Sequence, residues 1–437
     1  MRIILFLFVC STLSAQTVEE KIKARVTFGE TPGIVVGIYE NGKTQYYSYG
    51  VANLESKEPV TSITLFEIGS ITKTFTTSMA AMLSLEQKIS FDATAQKYLP
   101  SKMVLPERNG KAITIEHLAT AHSGLPRMPL NFQPKDPMNP YIDYQEAELS
   151  YFLSNYELTR DPGSEYEYSN LGMGLLGYIV TRIDEKSYSD ALQQMICKPL
   201  GMNKTFIGGQ RKEKHLASGY ADKLAMKAWT WDDQSVLTGA GGIVSNAEDM
   251  MKFLVAQLDK TNPLAKAFTL THQSRANAGG MKIGYGWHIR YENLIWHNGG
   301  TGGFRSFAGF DKTKNKAVII LTNSTTGADD LGFHLLNDQL SLKELKQIVA
   351  VDESILKTYV GVYEIAPTFS IAVTQSADGL SIQANGQPKL SIYAESESKF
   401  YLKVVPAKIE FIRNANDQVE KLILFQNGAQ MEGKKIN

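Results

Sequence analysis

The sequence predicts an α+β domain followed by a small, separate β-domain. Strand-like runs occur near the N-terminus and again between residues 283 and 322, whereas residues 114–260 are mostly helical and loop-like in character. From residue 352 the chain changes to short alternating segments, several of them at the roughly 8–12-residue spacing of strands in a sandwich or barrel. We expect the first and later strands to form one sheet, with the helical middle packed against it.

The N-terminus has the form of a secretory signal. Arg2 precedes an uncharged apolar run at 3–9, and small residues follow at 11–15. The run is too short to span a bilayer. We expect residues 1–15 to be a signal peptide and the protein to be exported, either to the periplasm or to the medium. A lipoprotein anchored through Cys10 is the alternative, which Val9 disfavours because a small residue is expected there.

The next elements are predicted in chain order from their periodicity and turn residues. Two strands surround the turn at Asn41-Gly42, which is a strong hairpin signal. A run without helix breakers from Ser70 to about Gln87 indicates a buried helix. Further strands are predicted at 283–289, 294–297, 304–310 and 317–322. The helical-looking segment 338–349 connects them to the C-terminal β-domain.

The composition excludes several classes of partner. Lys plus Arg and Asp plus Glu both number 45, so no net field draws the protein to nucleic acid or to an anionic membrane surface. After removal of the signal, Cys197 is the remaining cysteine, so no internal disulfide is expected. The seven histidines are scattered and form no metal-binding spacing. We therefore expect no metal or other cofactor. Nothing in the sequence indicates the oligomeric state.

The first candidate catalytic motif is Ser70-Ile71-Thr72-Lys73 at the start of the predicted helix. Residues three apart share a helix face, so the Lys73 amine can lie beside the Ser70 hydroxyl. A helix N-terminus adds free backbone N–H groups where an oxyanion would form. A desolvated lysine with a lowered pKa can serve as the base that a nucleophilic serine needs. Alone the motif is weak, since the same spacing recurs at Ser354/Lys357 and Ser396/Lys399.

Two further motifs follow along the chain. Tyr168-Ser169-Asn170 offers a phenol that can pass a proton and an amide that can bind a carbonyl. The run at 297–300 ends a predicted strand, where glycines allow a substrate to pair with the strand edge. Each motif also has a plain structural interpretation, a turn or a glycine-rich hairpin. The same spacings recur at Tyr39/Asn41, Tyr291/Asn293, His122/Gly124 and Lys282/Gly284.

Order and context single out one combination: a serine and lysine on a helix, a tyrosine and asparagine on a loop, and a histidine and glycine on a strand. With them, the sequence resembles the serine β-lactamase and penicillin-binding protein superfamily, in its branch of class C β-lactamases, D,D-carboxypeptidases and esterases. The resemblance covers about residues 30–325 and extends to the segments 66–76, 115–126, 199–202, 240–245 and 284–287.

The resemblance implies a β-lactamase-like fold, in which an antiparallel sheet flanked by helices adjoins an all-helical subdomain and the active site lies between them. It would occupy residues 16–340. Residues 352–437 resemble the small lipocalin-like, β-barrel-like domain appended to some members. Such a domain could cap the cleft, bind a lipid or a protein, or stabilise the fold. A separate hypothesis is that this C-terminal β-domain is the functional part of the protein.

Carried over by motif, the resemblance implies a role for each candidate residue. Ser70 would be the acylated nucleophile, and Lys73 and Tyr168 would share proton transfer in a division that the sequence leaves open. Asn170 would orient the substrate amide or ester. The backbone N–H groups of Ser70 and Gly300 would form the oxyanion hole, whose donors contribute roughly 3 kcal/mol each in comparable sites. The remaining predicted binding residues are His297, Asn298 and Gly299.

His297-Asn298-Gly299 replaces the family's K-T-G motif. A lysine would carry a permanent charge for a substrate carboxylate, whereas histidine is largely neutral at pH 7. The sequence thus predicts an exported serine hydrolase of small amide or ester substrates: β-lactams, D-amino-acid peptides such as those of peptidoglycan, or esters. The alternative is a non-catalytic homologue that binds penicillin or peptide.

Overall fold

The computed structural model describes residues 16–208, 215–231, 235–345, 348–376, 379–403 and 405–436. The predicted signal segment 1–15, including Cys10, lies outside the described residues. The helices, in chain order, are α1 (Val18–Thr27), α2 (Thr72–Leu85), α3 (Ile115–Ala119), α4 (Glu146–Asn155), α5 (Asn170–Asp184), α6 (Tyr188–Leu192), α7 (Lys198–Leu200), α8 (Ala247–Leu258), α9 (Ala265–Thr271), α10 (Asp329–Leu336) and α11 (Glu353–Tyr359).

The strands fall into two large sheets and two small ones. They are β1 (Gly33–Glu40), β2 (Lys43–Gly50), β3 (Phe66–Glu67), β4 (Phe206–Ile207), β5 (Gly219–Ala221), β6 (Leu224–Met226), β7 (Ile243–Ser245), β8 (Ala276–Ala278), β9 (Met281–Ile283), β10 (His288–Arg290), β11 (Leu294–Gly300), β12 (Arg305–Asp311), β13 (Lys316–Thr322), β14 (Gly361–Ala366), β15 (Phe369–Ser376), β16 (Gly379–Ala384), β17 (Leu390–Ser391), β18 (Tyr393–Ala394), β19 (Lys399–Tyr401), β20 (Ala407–Arg413), β21 (Val419–Gln426) and β22 (Ala429–Lys435).

The main sheet joins the beginning of the catalytic region to its end. Its order is β2-β1-β13-β12-β11-β10-β9-β8, with antiparallel neighbours, and β1 pairs with β13 in the register Ile34↔Thr322. Alternate residues of β1 enter two cores, because side chains alternate along a strand. Val35 joins the core that includes α8, whereas Ile34 and Val36 join the core that includes α1 and α10. The predicted sheet between distant parts of the chain is confirmed.

The helical region is built around α2 and α5. Residues 72–83 are all buried, so α2 is enclosed on every side, as expected of a helix in the centre of a large domain. Its Thr and Ser hydroxyls are satisfied by carbonyls, for example Thr76 Oγ1 to Gly239 O at 2.7 Å. Because α2 packs against α5, the chain entering each helix lies at the same edge of the domain.

Two predicted elements differ from the structure. The expected strand 283–289 is two strands, β9 and β10, because Gly286 has φ +69° and turns the chain between them. A Cβ on Gly286 would lie 2.6 Å from Thr77 Oγ1, so the turn packs directly on α2. The expected helix at 338–349 is also wrong for its described part: helix α10 ends at Leu336, a single turn follows, and residues 338–345 form no helix.

The C-terminal region forms a nine-stranded antiparallel, barrel-like sheet, as predicted. Its order is β17-β16-β15-β14-β22-β21-β20-β19-β18. It has a hydrophobic core of its own, around Tyr363 and Phe411. Lys403 Nζ donates to Phe28 O, and the Tyr393 hydroxyl bonds Asp222, so the barrel-like sheet rests on the α1–β1 loop and the β5–β6 hairpin. The predicted domain limits, 16–340 and 352–437, stay predictions.

Candidate active site

Ser70 lies in a single 3-10 turn, Gly69–Ile71, that leads directly into α2. Strand β3 precedes it and pairs with β7 in the register Phe66↔Ser245, which anchors the chain immediately before the serine. The predicted helix thus begins as a tight turn at Ser70. Its hydroxyl is only partly buried, so a substrate can approach it, while the next three residues are buried.

Lys73 lies one turn into the helix and reaches back to the serine. Its Nζ is 3.0 Å from Ser70 Oγ, 2.9 Å from Asn170 Oδ1 and 2.6 Å from the carbonyl oxygen of Ala240. The side chain is 2% exposed. Burial lowers the pKa of Lys73 well below its usual range, and the nearby Arg127 cation lowers this pKa further. A neutral amine beside Ser70 is the form that can accept the serine proton.

Tyr168 and Asn170 are positioned by the N-terminus of α5. Ser169 is the N-cap: its Oγ accepts from Gly172 N at 2.8 Å and donates to Pro126 O at 2.7 Å. Tyr168 lies just before the cap, and the Lys73 Nζ is 4.8 Å from the centre of its ring. Burial raises the pKa of Tyr168, against the opposing effects of the Ser70 hydroxyl and Arg127. The phenol is therefore protonated at neutral pH.

His297 approaches from β11 on the opposite side of the cleft. Its ring centroid is 6.1 Å from that of Tyr168, and the side chain is 2% exposed. Nδ1–H donates to the carbonyl of Asn298 at 2.5 Å, which leaves Nε2 as an acceptor. Burial lowers the pKa of His297 well below its usual range, and His288 and Lys73 act in the same direction. The residue in the place of the motif lysine is thus a neutral imidazole.

The glycines of both motifs allow the Ser70 segment and β11 to touch. A Cβ on Gly69 would lie 2.7 Å from Gly300 N, and a Cβ on Gly299 would lie 2.0 Å from Ile68 O. Ser306 on β12 completes the contact by donating to Ile68 O at 2.8 Å. The backbone of Gly300 is therefore held beside the residue that precedes Ser70, where its N–H and that of Ser70 can converge.

Asn298 has a different environment from its neighbours in the motif. Because side chains alternate along a strand, it lies on the opposite face of β11 from His297. Its Nδ2 donates to Asp329 Oδ2 on α10. Burial raises the pKa of Asp329, which the bond from Asn298 opposes. The described hydrogen bond of Asn298 thus braces β11 against α10 and does not reach Ser70 or Lys73.

The structure brings Ser70, Lys73, Tyr168, Asn170 and His297 into one cleft, together with residues that sequence reasoning missed. An aromatic wall of Tyr141, Trp229 and Trp231 adjoins Asn170; the Tyr141 and Trp231 rings stack at 4.2 Å. Arg127, His288 and the carbonyl of Ala240 also belong to the site. The sequence signal for the wall is the aromatic residues of the segments 125–150 and 205–235.

His288 lies against His297, and the two imidazoles stack at 4.8 Å with an interplanar angle of 16°. The residue is partly exposed, and its partial burial, with Lys73 as the next cause, lowers the pKa of His288 to about 4. His272 is buried, at 6% exposure, and contacts Gln257 Oε1 at 2.9 Å. The surroundings of both rings are formed by strands and helices that meet only in the tertiary fold.

Two further histidines and two aromatic residues have structural roles. His117 Nδ1 accepts from Thr114 N in a helix cap, and His122 contacts the Thr120 carbonyl. Tyr285 and Trp287 are at most 2% exposed and belong to the core.

Among the described residues, no group of three or more His, Cys, Asp or Glu side chains could hold a metal ion. No helix in the described part of the chain is both long and apolar enough to cross a membrane.

Comparison with known proteins agrees with this geometry. A family model described as "Beta-lactamase" matches residues 18–342, and one described as a domain of unknown function, DUF3471, matches residues 345–437. A β-lactamase from Pseudomonas fluorescens is 28% identical over 348 residues, which are 70% of this chain and 93% of that protein. A penicillin-binding protein of Bacillus subtilis (strain 168) is 25% identical over 427 residues, 90% of this chain and 92% of that one.

Solved structures share the fold. The octameric penicillin-binding protein homologue from Pyrococcus abyssi matches with a TM-score of 0.64 and 23% identity, over 95% of this chain and 99% of that one. A β-lactamase/D-alanine carboxypeptidase from Pseudomonas syringae matches with a TM-score of 0.63 and 24% identity, over 73% of this chain and 98% of that one. With the family model spanning most of its length, the chain belongs to the β-lactamase family of serine hydrolases and penicillin-binding proteins.

Proposed function

We propose that this protein is an exported serine hydrolase that acts through an acyl-enzyme on Ser70. Its substrates are small amides or esters: β-lactams, D-amino-acid peptides of the kind found in peptidoglycan, or esters. The observation that carries the proposal is the buried Lys73 amine, 3.0 Å from Ser70 Oγ. Relatives named as β-lactamases and penicillin-binding proteins support the same reaction class.

Acylation begins with the attack of Ser70 Oγ on the substrate carbonyl. The serine proton passes to the neutral Lys73 Nζ as the Oγ–C bond forms, and the resulting oxyanion is bound by the N–H groups of Ser70 and Gly300. Collapse of the tetrahedral intermediate breaks the bond to the leaving group, which takes up a proton from the Lys73–Tyr168 pair. Water then attacks the Ser70 ester in the reverse sense and releases the acid.

The environment of the two candidate bases favours one division of roles. Burial lowers the pKa of Lys73 and raises that of Tyr168, which favours a neutral amine beside a protonated phenol. As an amine, Lys73 donates to Asn170 Oδ1 and the Ala240 carbonyl and has its lone pair for the Ser70 proton. Lys73 is then the general base, and Tyr168 donates its proton towards the leaving group.

The neutral His297 bears on the preferred substrate. It supplies no fixed charge for a carboxylate at the position where the family's motif has lysine. We therefore place esters and D-aminoacyl amides before β-lactams, and expect β-lactam turnover to be minor. The predicted signal segment supports export of this activity to the periplasm or the medium.

The test is to incubate the mature protein and its Ser70→Ala variant with a penicillin and to follow protein mass and drug by liquid chromatography and mass spectrometry. Drug opened by wild type alone indicates a β-lactamase. A lasting adduct that is absent from the variant indicates a penicillin-binding hydrolase. If wild type does neither, ester and D-aminoacyl peptide substrates are tried, and turnover retained in Ser70→Ala contradicts the proposal.

A non-catalytic binder is the second candidate, and the structure offers little to favour it, because Ser70 and Lys73 are in hydrogen-bond contact. An active-site acylating probe separates the two. Failure of every acylating probe, a fluorophosphonate and a penicillin included, to label Ser70 in folded protein would support the binder.

A further inference from the structure

We propose that Arg127 binds a carboxylate on the leaving-group side of the substrate, so that the enzyme prefers anionic esters and amides over neutral ones. The inference rests on the proposed serine hydrolase function and specifies its substrate class. The position of the motif lysine carries no positive charge in this cleft. It is occupied by His297, a neutral ring that is buried beside Lys73 and His288. A carboxylate therefore needs another cation in the cleft.

The backbone of Arg127 is fixed to the catalytic loop. Its carbonyl oxygen accepts from Asn170 N at 3.0 Å and from Leu171 N at 3.3 Å, and its own N–H donates to Glu167 Oε1 at 3.1 Å. Three contacts to the segment that carries Tyr168 and Asn170 tie the Arg127 Cα to the site. Its side chain thus moves with the catalytic residues and not with the loop that follows.

The guanidinium of Arg127 is available for a ligand. It lies over the Tyr168 ring, with Cζ 5.0 Å from the ring centroid, and the residue is exposed. Within the described residues it forms no ion pair or side-chain hydrogen bond. One carboxylate oxygen of Glu167 accepts from the backbone N–H of Arg127, and the other oxygen pairs with Arg160. An exposed, unneutralised guanidinium matches a carboxylate through two parallel N–H donors.

The positive charge of Arg127 affects the pKa values of several side chains in the cleft. It lowers the pKa of Lys73 and opposes the raised pKa values of three phenols, those of Tyr141, Tyr166 and Tyr168. Lys73 and Tyr168 contact Ser70, and Tyr141 contacts Asn170. Because Tyr168 directs its proton towards the leaving group, a carboxylate placed beside its ring belongs to the leaving group and not to the acyl group.

The experiment compares two esters of one acyl group, phenylacetylglycine, with 3-hydroxybenzoate or 3-hydroxybenzamide as the leaving group. We expect wild type to have the higher kcat/KM for the benzoate. Arg127→Met should lower kcat/KM for the benzoate at least about tenfold and for the benzamide less than about threefold, and Arg127→Lys should lie between. Arg182→Met is the matched control, since Arg182 is exposed over the Tyr178 ring at the far end of α5.

A second readout separates binding from an effect of charge on Lys73. Loss of the cation lets the pKa of Lys73 rise, which moves the acidic limb of the pH profile to higher pH equally for both esters. Equal losses for benzoate and benzamide, or no loss for either, would overturn the inference while Ser70-dependent turnover upheld the proposed function. Hydrolysis of neither ester by wild type, or turnover of both by Ser70→Ala, would overturn both proposals.

Discussion

Lys73 combines burial with three oxygen neighbours, and its protonation state controls the proposed reaction. As an ammonium it can donate to Ser70, Asn170 and Ala240 at once, which holds the serine oxygen as an acceptor and prevents proton transfer. As an amine it can take the Ser70 proton. Because burial lowers the pKa of Lys73, the amine is present at a lower pH than for a solvated lysine.

We therefore expect the acylation rate of wild type to rise with pH through the lowered pKa of Lys73, below its ordinary value of 10.5. Lys73→Arg keeps the charge but cannot act as a base, and should lose roughly 10²–10⁴-fold in rate at every pH. The measurement is the pH dependence of single-turnover acylation by mass spectrometry. An arginine variant with the wild-type profile would exclude Lys73 as the base.

The buried surroundings of His297 favour a neutral side chain at this position. A lysine at this position would place an ammonium group in the buried space beside Lys73 and His288. We expect His297→Lys to lower the free energy of unfolding at pH 7 by about 3 kcal/mol more than His297→Gln, because an uncompensated buried charge is costly. Chemical denaturation of both variants measures the difference, and equal stabilities would show that the pocket tolerates a cation.

At the scale of secondary-structure elements, the site depends on how closely β11 approaches the Ser70 turn. Gly299 permits that approach, since a Cβ there would overlap Ile68 O and lie 2.4 Å from Ser306 Oγ. The strand must move away to accommodate any side chain. The movement would separate the N–H groups of Ser70 and Gly300, whose convergence the proposed oxyanion hole requires.

Gly299→Ala should reduce acylation by about 10²-fold or more, as for loss of an oxyanion donor, and destabilise the fold by about 1–3 kcal/mol. Gly327→Ala is the control, because Gly327 is exposed and a Cβ there would meet nothing closer than Asp329 Oδ1 at 4.0 Å. The measurements are acylation rate and thermal unfolding. Wild-type acylation by Gly299→Ala would mean that β11 does not form the oxyanion hole.

At the scale of the whole molecule, polar contacts connect the barrel-like sheet, with its own hydrophobic core, to the rest of the protein. Lys403 binds the carbonyls of the α1–β1 loop, and Tyr393 binds Asp222. None of these residues contacts Ser70 or Lys73. The nearest connection to the site is indirect: Gly219 on β5 packs against Gly303, three residues beyond Gly300.

Removal of residues 345–437 should therefore leave the acylation rate within about threefold of wild type, while lowering the Tm because the contacts of Lys403 and Tyr393 with the rest of the protein are lost. Acylation by mass spectrometry and thermal unfolding by circular dichroism check this. A more than tenfold fall in acylation by a folded truncation would instead show that the barrel-like sheet supports the cleft through the β5–β6 hairpin.

The sequence by itself determined the fold class, the family, and the residue types of the candidate site. Helix periodicity places Lys73 beside Ser70, and the order of three motifs indicates the family, because these signals are local in the chain. The sequence also predicted the sheet between the first hairpin and the last strands, although not its register, Ile34↔Thr322.

Only the tertiary structure decided what surrounds those residues. The stacking of His288 on His297, the orientation of Asn298 towards Asp329 and the guanidinium of Arg127 over Tyr168 each join elements far apart in the chain. The turn at Gly286 also depends on packing between distant elements, because it lies against α2. Protonation follows burial, and burial is a property of the assembled fold. For that reason the division of roles between Lys73 and Tyr168 follows from packing, which periodicity and motif spacing do not encode.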